Sequence, residues 1–462
     1  MTFTLTAEPI RKMSSSPLDV FIKKKGLFSR VYILGFALQE GIYYADNQRP
    51  LNSFCVLFLR FKGNSNTEEI KYLLTQLWGM YNDLKNGIPQ EFKENFQEPG
   101  SNFNQFAGNL SVLIGYGPKM FDLPGIKCPR PSYLHEKWLF NSPKPTGGGS
   151  IIDEVGLCFA NDIKENPVAN DHIAIQFIGD NEFVTSRCIV ETWKLLRKSS
   201  RGSETNEVLD ITSFFTGFSR PDNRSWLGFH DGVSNIRTEE RLDAIRIDQN
   251  EVSHQDNWIT NGTYLAFLRI EIDLDKWQDV PVVMQERIVG RNKVTGCPLI
   301  GFDKTTGRNL VAHGCPVPGT SEIMANGNDA FREHPPYNRT SNAYASASDD
   351  VLEKSHIGRM YKREVYFGQE PKPSRIFRQG YEFLEPIQNS AGFRVGLNFV
   401  SFQKSPEIFY DLLVNGLGNT DFGGTGEENQ NNLQKLFCVR AAGIFIVPPV
   451  NPTEQFPGEN IF

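Results

Sequence analysis

The chain lacks several features that would place a protein in a class at once. None of its apolar runs approaches the roughly 18 residues that a membrane-spanning helix needs. It contains no G-x-x-x-x-G-K-[ST] phosphate loop and no G-x-S-x-G turn, which disfavours P-loop nucleotide binding and an α/β-hydrolase. Basic residues are not in excess, because 48 Lys and Arg face 54 Asp and Glu. The resulting net charge of −6 disfavours nucleic acid and anionic membranes as partners.

Signals for cysteine pairing are also missing. The seven cysteines form an odd number, are widely scattered and include no C-x-x-C, which predicts free thiols in a reducing compartment. His313 and Cys315 lie close in sequence, but no second ligand pair at zinc-finger spacing follows them. The first twenty residues contain neither an apolar core nor a small-residue cleavage site, so we expect a cytoplasmic location.

What is present describes a globular protein with a large core. At 462 residues the chain exceeds one ordinary core, which predicts two domains or one large domain. Hydrophobic residues make up 39% of the chain and charged residues 22%, the balance of a folded globular protein. The 35 phenylalanines favour a Phe-rich core, with a large flat apolar ligand as the alternative.

Strand-like and helical segments recur in a similar order in both halves of the chain. The motif Leu57-Phe-Leu-Arg60 returns as Ala266-Phe-Leu-Arg269, each within a β-rich apolar run. This repeat predicts two related α+β halves, each an antiparallel sheet with helices on one face, whose free faces bury each other. The strand-like segments are 53–63, 109–117, 172–179, 263–273, 393–403 and 441–449, and the helical segments are 67–84, 184–199, 281–290 and 406–416.

These patterns divide the chain into three parts. Residues 1–37 are polar and Ser-rich and predict an extension with little structure of its own. Residues 38–224 are expected to form the first half, and residues 225–462 the second. Two segments predict loops: 141–150, which is rich in Gly and Pro, and the longer polar segment 324–350. A loop of that length in a compact protein indicates a functional or partly disordered segment.

Three residues stand out as candidates for chemistry. Asp231 lies in Gly228–Gly232, a G-x-x-D-G stretch that suits either a tight turn or a carboxylate presented to a ligand. His356 follows the long polar loop, and Arg378 lies in an alternating context that directs it inward if Ile376 faces the core. These three do not form a hydrolytic triad. They could form a haem peroxidase site, which needs an axial imidazole, a carboxylate that moves a proton, and a cation.

An ordered series of segments around these residues resembles the dye-decolorizing peroxidase family, from about residue 38 to residue 462. The segment FTGFSRPDNRSWLGFHDGVSN is similar to the hallmark G-x-x-D-G region of that family. SHIGRM lies where the family has its proximal-His segment, and RIFRQG lies where it has the distal Arg. The other matching segments, in order, are LQEGIYYADNQRP, NLSVLIGYGPKMFD, GTYLAFLRIEIDLDKW, QERIVGRNKVTGCPL, VGLNFVSFQ and FIVPPVNPTEQFPGENIF.

The resemblance implies an α+β fold of the dimeric α+β barrel type. Two ferredoxin-like halves would place their antiparallel sheets face to face with helices outside. One haem b per chain would lie between the sheets, mainly in the C-terminal half. His356 would be the axial iron ligand, and Asp231 the distal acid–base residue with Gly232 beside it at the cofactor. Arg378 would be the distal arginine, which contacts the cofactor and stabilises negative charge on peroxide.

The activity that the resemblance implies is oxidation of bulky organic compounds, such as dyes and phenols, by hydrogen peroxide. A carboxylate with an ordinary pKa of about 4 stays a competent base well below neutral pH, so we expect an acidic optimum. Activity that rises through about pH 7 to 8 would instead favour His230 as the base. Trp226, the tryptophan nearest in sequence to the loop, is either a core residue or a relay of electrons to the surface.

A second function remains open from the residues alone, that of a haem-binding protein for storage, trafficking or sensing with incidental peroxidase activity. Such a carrier needs the axial histidine but not a pair that cleaves peroxide. The presence of Asp231 together with Arg378 therefore favours the enzyme. The sequence leaves the physiological reductant and the oligomeric state open.

Two positions depart from the family pattern. Gly358 stands two residues after His356, where the family usually has Arg, and Arg359 follows without the usual Pro-Arg pair. This departure bears on contacts to the haem propionates and not on the axial ligand. His230 directly precedes Asp231, and its side chain either tunes the pKa of that carboxylate or points away from it.

Overall fold

The structure of the chain is a computed structural model. The predicted loops 141–150 and 324–350 lie outside the residues that it describes, and so do Asp231, Gly232 and Gly358. The described residues are 21–25, 28–33, 36–42, 51–62, 66–88, 90–91, 107–134, 167–168, 170–200, 208–230, 235–236, 238–296, 299–303, 308–311, 355–357, 376–387, 391–412 and 436–462.

The chain begins, within the described residues, with a small antiparallel sheet. Its strands are β1 (Phe21–Lys25), β2 (Phe28–Ile33) and β3 (Phe36–Ala37), in the order β1-β2-β3. The expectation that residues 1–37 carry little structure of their own was wrong for these three strands, because aromatic and β-branched residues favour strands. Only two residues separate β1 from β2, a spacing that suits a tight hairpin.

The first half has the element order β-α-β-β-α-β. The predicted strands and helices of this half are present with bounds shifted by a few residues, and one further strand ends the half. The elements are β4 (Ser53–Phe61), α1 (Thr67–Lys85), β5 (Ser111–Tyr116), β6 (Ile173–Gly179), α2 (Glu182–Ser200) and β7 (Leu209–Phe218).

The second half repeats this order with insertions. A two-stranded antiparallel sheet of β9 and β10 is one of these insertions. The elements are α3 (Thr238–Ile245), β8 (Thr263–Ile272), α4 (Leu274–Asp279), α5 (Val282–Val289), β9 (Leu299–Asp303), β10 (Arg308–Val311), β11 (Phe377–Pro386), β12 (Phe393–Gln403), α6 (Pro406–Asp411) and β13 (Phe437–Val447).

Eight strands close into one antiparallel barrel in the order β11-β12-β8-β13-β5-β6-β4-β7. Within this order the first half contributes β5-β6-β4-β7 and the second half β11-β12-β8-β13. In both halves the barrel strands follow the order second, third, first, fourth, which is the ferredoxin-like order. The predicted fold class and the duplication are therefore confirmed.

Helix α1 shows how local sequence places the helices on the sheet. Its N-cap is Asn66, whose side chain accepts a hydrogen bond of 2.8 Å from the backbone N–H of Glu69. Glu69 also lies in the first turn, where a negative charge is favourable to the helix dipole. Ile70, Leu73 and Leu77 recur at helical spacing on the face that is buried against the sheet. Within the described ranges, no helix has both the length and the apolar composition of a membrane span.

The inside of the barrel is filled by side chains from all eight strands. Aromatic rings dominate it, and Phe58 lies 5.4 Å from Phe267 and 5.6 Å from Phe445 between ring centroids. Burying one such ring completely contributes on the order of 2 kcal/mol to stability. One inward residue from each strand, in sequence order, is Phe58, Leu113, Ala174, Phe215, Phe267, Tyr381, Val400 and Phe445.

The two halves meet at two places where little strand pairing occurs. The β5–β13 seam has a single paired position, Tyr116 opposite Ile446. There the side chain of Gln39 supplies hydrogen bonds that a longer ladder would have made. Its amide donates to the carbonyl groups of Ile114 (2.9 Å) and Pro448 (2.8 Å), and its oxygen accepts from the Ile114 N–H (2.8 Å).

The β7–β11 seam also has a single paired position, Phe218 opposite Glu382. Asn398 reaches across it from β12 and donates a 2.9 Å hydrogen bond to the carbonyl of Thr216 in β7. The oxygen of the same amide accepts from buried Arg269 at 2.7 Å. Each seam of the duplicated barrel is thus closed by amide side chains in place of a full ladder.

Candidate active site

Arg224 holds the arm of chain that leads into the G-x-x-D-G stretch. Its guanidinium donates to the carbonyl of Gly228 (2.6 Å) and to the carbonyls of Lys293 (2.7 Å) and Val294 (2.9 Å). The backbones of Arg224 and His230 also form an isolated antiparallel bridge. The chain that approaches Asp231 is therefore fixed by a half-buried cation rather than left as an open turn.

Gly228 is required by the backbone rather than by a ligand. Its φ is +87°, in the left-handed region that favours glycine. A Cβ at this position would also lie 2.6 Å from Cε of Lys293. The first glycine of the motif thus makes room for the stem of a lysine side chain. The second glycine, Gly232, lies outside the described residues.

His230 is engaged by Arg224. The imidazole Nε2 accepts a hydrogen bond of 2.9 Å from the Arg224 guanidinium, which is able only to donate. Burial first, and then the charge of Arg224, lower the pKa of His230 below its ordinary value. Both facts describe a neutral imidazole whose Nε2 lone pair is already used. His230 is therefore a poor candidate for a general base acting through that nitrogen.

Arg378 lies on β11 with its side chain on the outer face of the second sheet. Strand alternation sets this direction, because the neighbouring Phe377 and Gln379 are buried on the side of the barrel interior. Ile376, on the same face as Arg378, is buried in the outer core between sheet and helices. The sequence expectation that Arg378 faces a core if Ile376 does is consistent with this register. The arginine itself is half-buried.

Asn235 docks the chain that follows Asp231 onto Arg378. Its Oδ1 accepts a hydrogen bond from the Arg378 N–H (3.1 Å), and its Nδ2 donates to the Arg378 carbonyl (2.7 Å). Asn235 lies four positions after Asp231 in the sequence. Four positions of chain span at most about 14 Å even when fully extended.

His356 lies in a short helical piece. The imidazole is half-buried, and its neighbours Ser355 and Ile357 are buried. Residues 358–375, which join it to β11, lie outside the described residues. The assignment of His356 as axial ligand stays a prediction. The roles of Asp231 and Gly232 also stay predictions, because neither residue is described.

His172 is a structural histidine, as its position before an apolar strand indicates. Its Nδ1 accepts a 3.0 Å hydrogen bond from the backbone N–H of Phe61, which requires an unprotonated nitrogen. Burial first, and then the charge of Arg60, lower the pKa of His172 to about 4. This imidazole therefore has a structural role in the barrel, and the lone pair of its Nδ1 is already used.

Trp226 forms one wall of an open cleft with a volume of about 390 Å³. Trp277 and Lys293 also line this cleft. The indole N–H of Trp226 donates to the carbonyl of Phe383 on β11 at 3.1 Å. Trp226 is only partly buried, so it connects an open surface with the strand that carries Arg378.

A sequence profile described as "Dyp-type peroxidase, C-terminal" matches residues 222–452, which is half of the chain. The matched span contains the G-x-x-D-G stretch, His356 and Arg378. The chain belongs to the Dyp-type peroxidase family. The family consists of haem-dependent peroxidases, which are oxidoreductases.

Solved Dyp-type structures share this fold. A DyP-type peroxidase from Cellulomonas bogoriensis is 16% identical, with a TM-score of 0.58 over 91% of this chain and 96% of that one. Ferric DtpA from Streptomyces lividans is 15% identical, with a TM-score of 0.56 over 91% of this chain and 95% of that one. At such identities the likeness concerns the fold alone.

Curated relatives named deferrochelatase match shorter spans. The protein from Shigella sonnei is 25% identical over 214 residues, which is 45% of this chain and 41% of that protein. The protein from Shigella flexneri serotype 5b is 25% identical over 258 residues, 54% of this chain and 51% of that protein. The chain spans about half of the length of these relatives, or less.

Sequence reasoning did not single out Arg224 and Asn235, whose hydrogen bonds hold the chain on either side of Asp231 and Gly232. Arg224 bonds mainly to backbone carbonyls 69 and 70 residues away, and Asn235 bonds to backbone 143 residues away. The only local signal was a polar residue, Asn235, placed directly before the buried Ile236. Such a signal indicates a satisfied buried amide but not its partner.

Proposed function

We propose that the chain is a peroxidase that binds one haem b and uses hydrogen peroxide to oxidise bulky organic compounds such as dyes and phenols. The observation that carries the proposal is the docking of Asn235 onto the backbone of Arg378, within the family-matched span. It ties the loop of Asp231 to the arginine expected opposite the iron. An acid–base residue and a cation on the same side are what heterolysis of peroxide requires.

The residues present fit a haem on the outer face of the second sheet. The resemblance implied a haem between the sheets. The described barrel interior is instead filled by core side chains, many of them aromatic, so we place the haem outside it. On the outer face, Gly380 follows Arg378 on the same side of β11 and has no side chain, so a flat ring can approach the strand closely. Phe399 lies opposite Gly380 on β12 and adds an apolar surface.

His356 would hold the group through one unprotonated imidazole nitrogen. When bound, the haem iron supplies the redox centre that accepts electrons from organic compounds after it has reacted with peroxide. Asp231, as a carboxylate, would take the proton from one peroxide oxygen and return it to the other, which leaves as water. Arg378 would stabilise the negative charge on the leaving oxygen through its guanidinium N–H groups.

The cleft beside Trp226 supports the part of the proposal that concerns bulky reductants. Its walls combine two indole rings with the ammonium of Lys293, and this mixture suits aromatic compounds that carry oxygen or negative charge. Compounds too large to reach a buried haem edge would bind here. Trp226 would then pass electrons towards β11 through its contact with Phe383.

Three further expectations, on domains, location and partners, belong to the same proposal. We infer two domains, residues 38–224 and 225–462, because the barrel strands of each range form one ferredoxin-like sheet. We also infer a cytoplasmic location, because the described cysteines Cys55, Cys128 and Cys188 are thiols that form no disulfide. Hydrogen peroxide and an organic reductant are the proposed partners.

The alternative function is binding of haem for storage, trafficking or sensing. Curated relatives of the chain are named deferrochelatase, and that name describes those relatives and not this chain. Neither a carrier nor a sensor needs Arg378 and Asp231 to act together on peroxide. The two functions therefore differ in how the haem-loaded protein responds to peroxide, not in whether it binds haem.

An absorption spectrum of the haem-loaded protein, before and after one equivalent of hydrogen peroxide, tests the proposal. We expect a ferric Soret band that changes rapidly and returns when a phenol is added. His356→Ala should lose the resting Soret band of a His-bound haem, and Asp231→Asn should keep that band but respond slowly. A wild-type band that peroxide only bleaches would favour the carrier, and the absence of a band would exclude the haem proposal.

A further inference from the structure

The edge of β11 at Arg378 has no strand beside it in the described barrel. β7, the neighbour in strand order, pairs with β11 only at Glu382. Asn235 takes the place of that missing strand, since its amide makes both the bond to the Arg378 N–H and the bond to the Arg378 carbonyl. A neighbouring antiparallel residue would make the same two bonds.

We propose that Asn235 is a positioning residue for the peroxide reaction, which sets the direction of the Arg378 side chain. This inference rests on the proposed function. In this proposal Asn235 contacts neither peroxide nor haem. It acts through the backbone of Arg378, which it holds by two hydrogen bonds.

A second contact holds the same two segments together and shows that the docking is a built feature. Arg241, in α3, places its guanidinium 4.1 Å from the centroid of the Phe377 ring on β11. Ile236, directly after Asn235, is 3% exposed and belongs to the same apolar cluster as Phe377. The amide of Asn235 is thus anchored between a buried residue and a strand.

The consequence for chemistry is geometric. A guanidinium at the end of a long side chain moves with the backbone that carries it. A displacement of about 1 Å at a reacting centre lowers rates on the order of 100-fold. Removal of the Asn235 amide should therefore affect the peroxide step more than haem binding or folding.

The chain offers a matched control at the same seam. Asn398, which is buried, also closes the β7–β11 seam with hydrogen bonds, one of them to the backbone of Thr216. Its side chain faces the barrel interior, on the opposite side of the sheet from Arg378. The same substitution, Asn→Leu, at both positions distinguishes the general effect of losing a seam amide from the specific effect of losing the one that holds the Arg378 backbone.

The first measurement is the second-order rate constant for peroxide with the ferric, haem-loaded protein. Asn235→Leu should lower this constant 10-fold to 100-fold relative to wild type, with the haem content and the later reaction with a phenol unchanged. Asn398→Leu should lower the melting temperature at least as much, because it removes a partner of buried Arg269, yet keep the peroxide rate constant within about 3-fold.

A partial rescue sharpens the test. Asn235→Asp keeps the oxygen that accepts from the Arg378 N–H, but it donates to the Arg378 carbonyl only while the new carboxyl is protonated. Its rate constant should approach that of wild type at low pH and fall as pH rises. A loss that is equal at all pH values would contradict positioning through the Arg378 backbone.

Fluoride binding to the ferric protein gives a readout that is independent of turnover. The affinity for this anion depends on where the Arg378 guanidinium lies, so Asn235→Leu should weaken it about 10-fold and Asn398→Leu should not change it. Equal losses in both variants, in rate or in affinity, would overturn the inference and leave the proposed function intact. A wild-type protein that binds no haem would overturn both the proposed function and this inference. A protein that binds haem but is only bleached by peroxide would overturn the proposed function alone, and the fluoride comparison would then decide the role of Asn235.

Discussion

The two seams of the barrel are equivalent by topology but differ in what closes them. At each seam the last strand of one half lies beside the second strand of the other half, with one paired position. At the β5–β13 seam, Gln39 closes the gap from a segment that precedes the first half. At the β7–β11 seam, Asn235 closes it from the chain that follows Asp231.

The difference gives a physical reason to expect one site in this duplicated fold and not two. Both seams leave strand edges with unsatisfied hydrogen-bonding groups, and such an edge must be covered. At the β5–β13 seam, Gln39 covers the strand edge and has only a structural role. At the β7–β11 seam, Asn235 covers the edge and follows Asp231 in the chain, and the covered strand β11 carries Arg378 on its outer face. The chemistry is therefore expected at the β7–β11 seam alone.

The largest expected difference between the seams concerns Arg378. Arg378→Leu should lower the rate constant for peroxide at least 100-fold, about 3 kcal/mol, because the variant loses the cation that stabilises the leaving oxygen. Stopped-flow absorbance on the haem-loaded protein measures this constant. Arg394→Leu on the adjacent strand β12 is the matched control, and Gln39→Leu tests the other seam. If either of these slowed the peroxide step as much as Arg378→Leu, the two seams would not differ in function.

A second prediction concerns the tightness of the seams. A Cβ at Gly217 in β7 would lie 2.6 Å from Nδ2 of Asn398 and 2.9 Å from Cβ of Tyr381, whereas a Cβ at Gly115 in β5 would meet Cβ of Phe445 at 3.0 Å. Gly217→Ala should therefore lower the free energy of unfolding by about 2 to 3 kcal/mol, and Gly115→Ala by about 1 kcal/mol. Denaturant unfolding of the haem-free variants compares them. The reverse order would mean that the β5–β13 seam is the tighter one.

A third prediction separates the pH dependence of the fold from that of the chemistry. The pKa of His172 in the folded state is about 4, below its unfolded value near 6.5, so the unfolded chain takes up a proton that the folded chain excludes. The stability that the neutral imidazole contributes is present above about pH 6.5 and is lost as pH falls towards the folded pKa.

His172→Asn keeps an acceptor for the Phe61 N–H without titrating. Between pH 7 and pH 5 the wild type should lose about 2 kcal/mol of unfolding free energy relative to this variant. Urea unfolding at the two pH values gives the difference, with His254→Asn as the control at a surface histidine. A constant difference across pH would contradict the lowered pKa, and the acidic optimum expected from Asp231 should be the same in both proteins.

The smallest expected effect concerns the cleft. Trp226→Phe should lower turnover of a bulky dye about 3-fold to 10-fold while the rate constant for peroxide stays unchanged. Phenylalanine keeps the apolar wall but is much harder to oxidise than indole and loses the hydrogen bond to Phe383. Steady-state dye oxidation measures the effect, and Trp193→Phe on the exposed face of α2 is the control. Unchanged dye turnover would end the relay proposal.

Much of the barrel was predictable because its strands are buried and apolar. β6 and the first part of β8 are buried along their length and stand out as apolar runs, and α1 shows the helical spacing. β7 was missed since it is half-exposed and its Ser, Thr and Gly residues interrupt the apolar pattern. Arg378 could be predicted to face the same side as Ile376 from strand alternation alone.

The residues that close the seams could not be predicted in the same way. Gln39 bonds to Pro448, which is 409 residues away, and Asn235 bonds to Arg378 across 143 residues. An amide that satisfies distant backbone leaves no local periodicity, and its partner exists only after the two halves have closed. The G-x-x-D-G motif could be recognised in the sequence, but the contact of Asn235 with the Arg378 backbone exists only in the folded chain.

Hydrogen exchange at the two seams, measured with and without haem, tests most directly whether only one of them carries the site. The account predicts that haem loading slows amide exchange in residues 377–384 of β11 and leaves residues 111–116 of β5 unchanged. Slower exchange at β5 without any change at β11, or an equal change at both strands, would contradict the assignment of the chemistry to the β7–β11 seam.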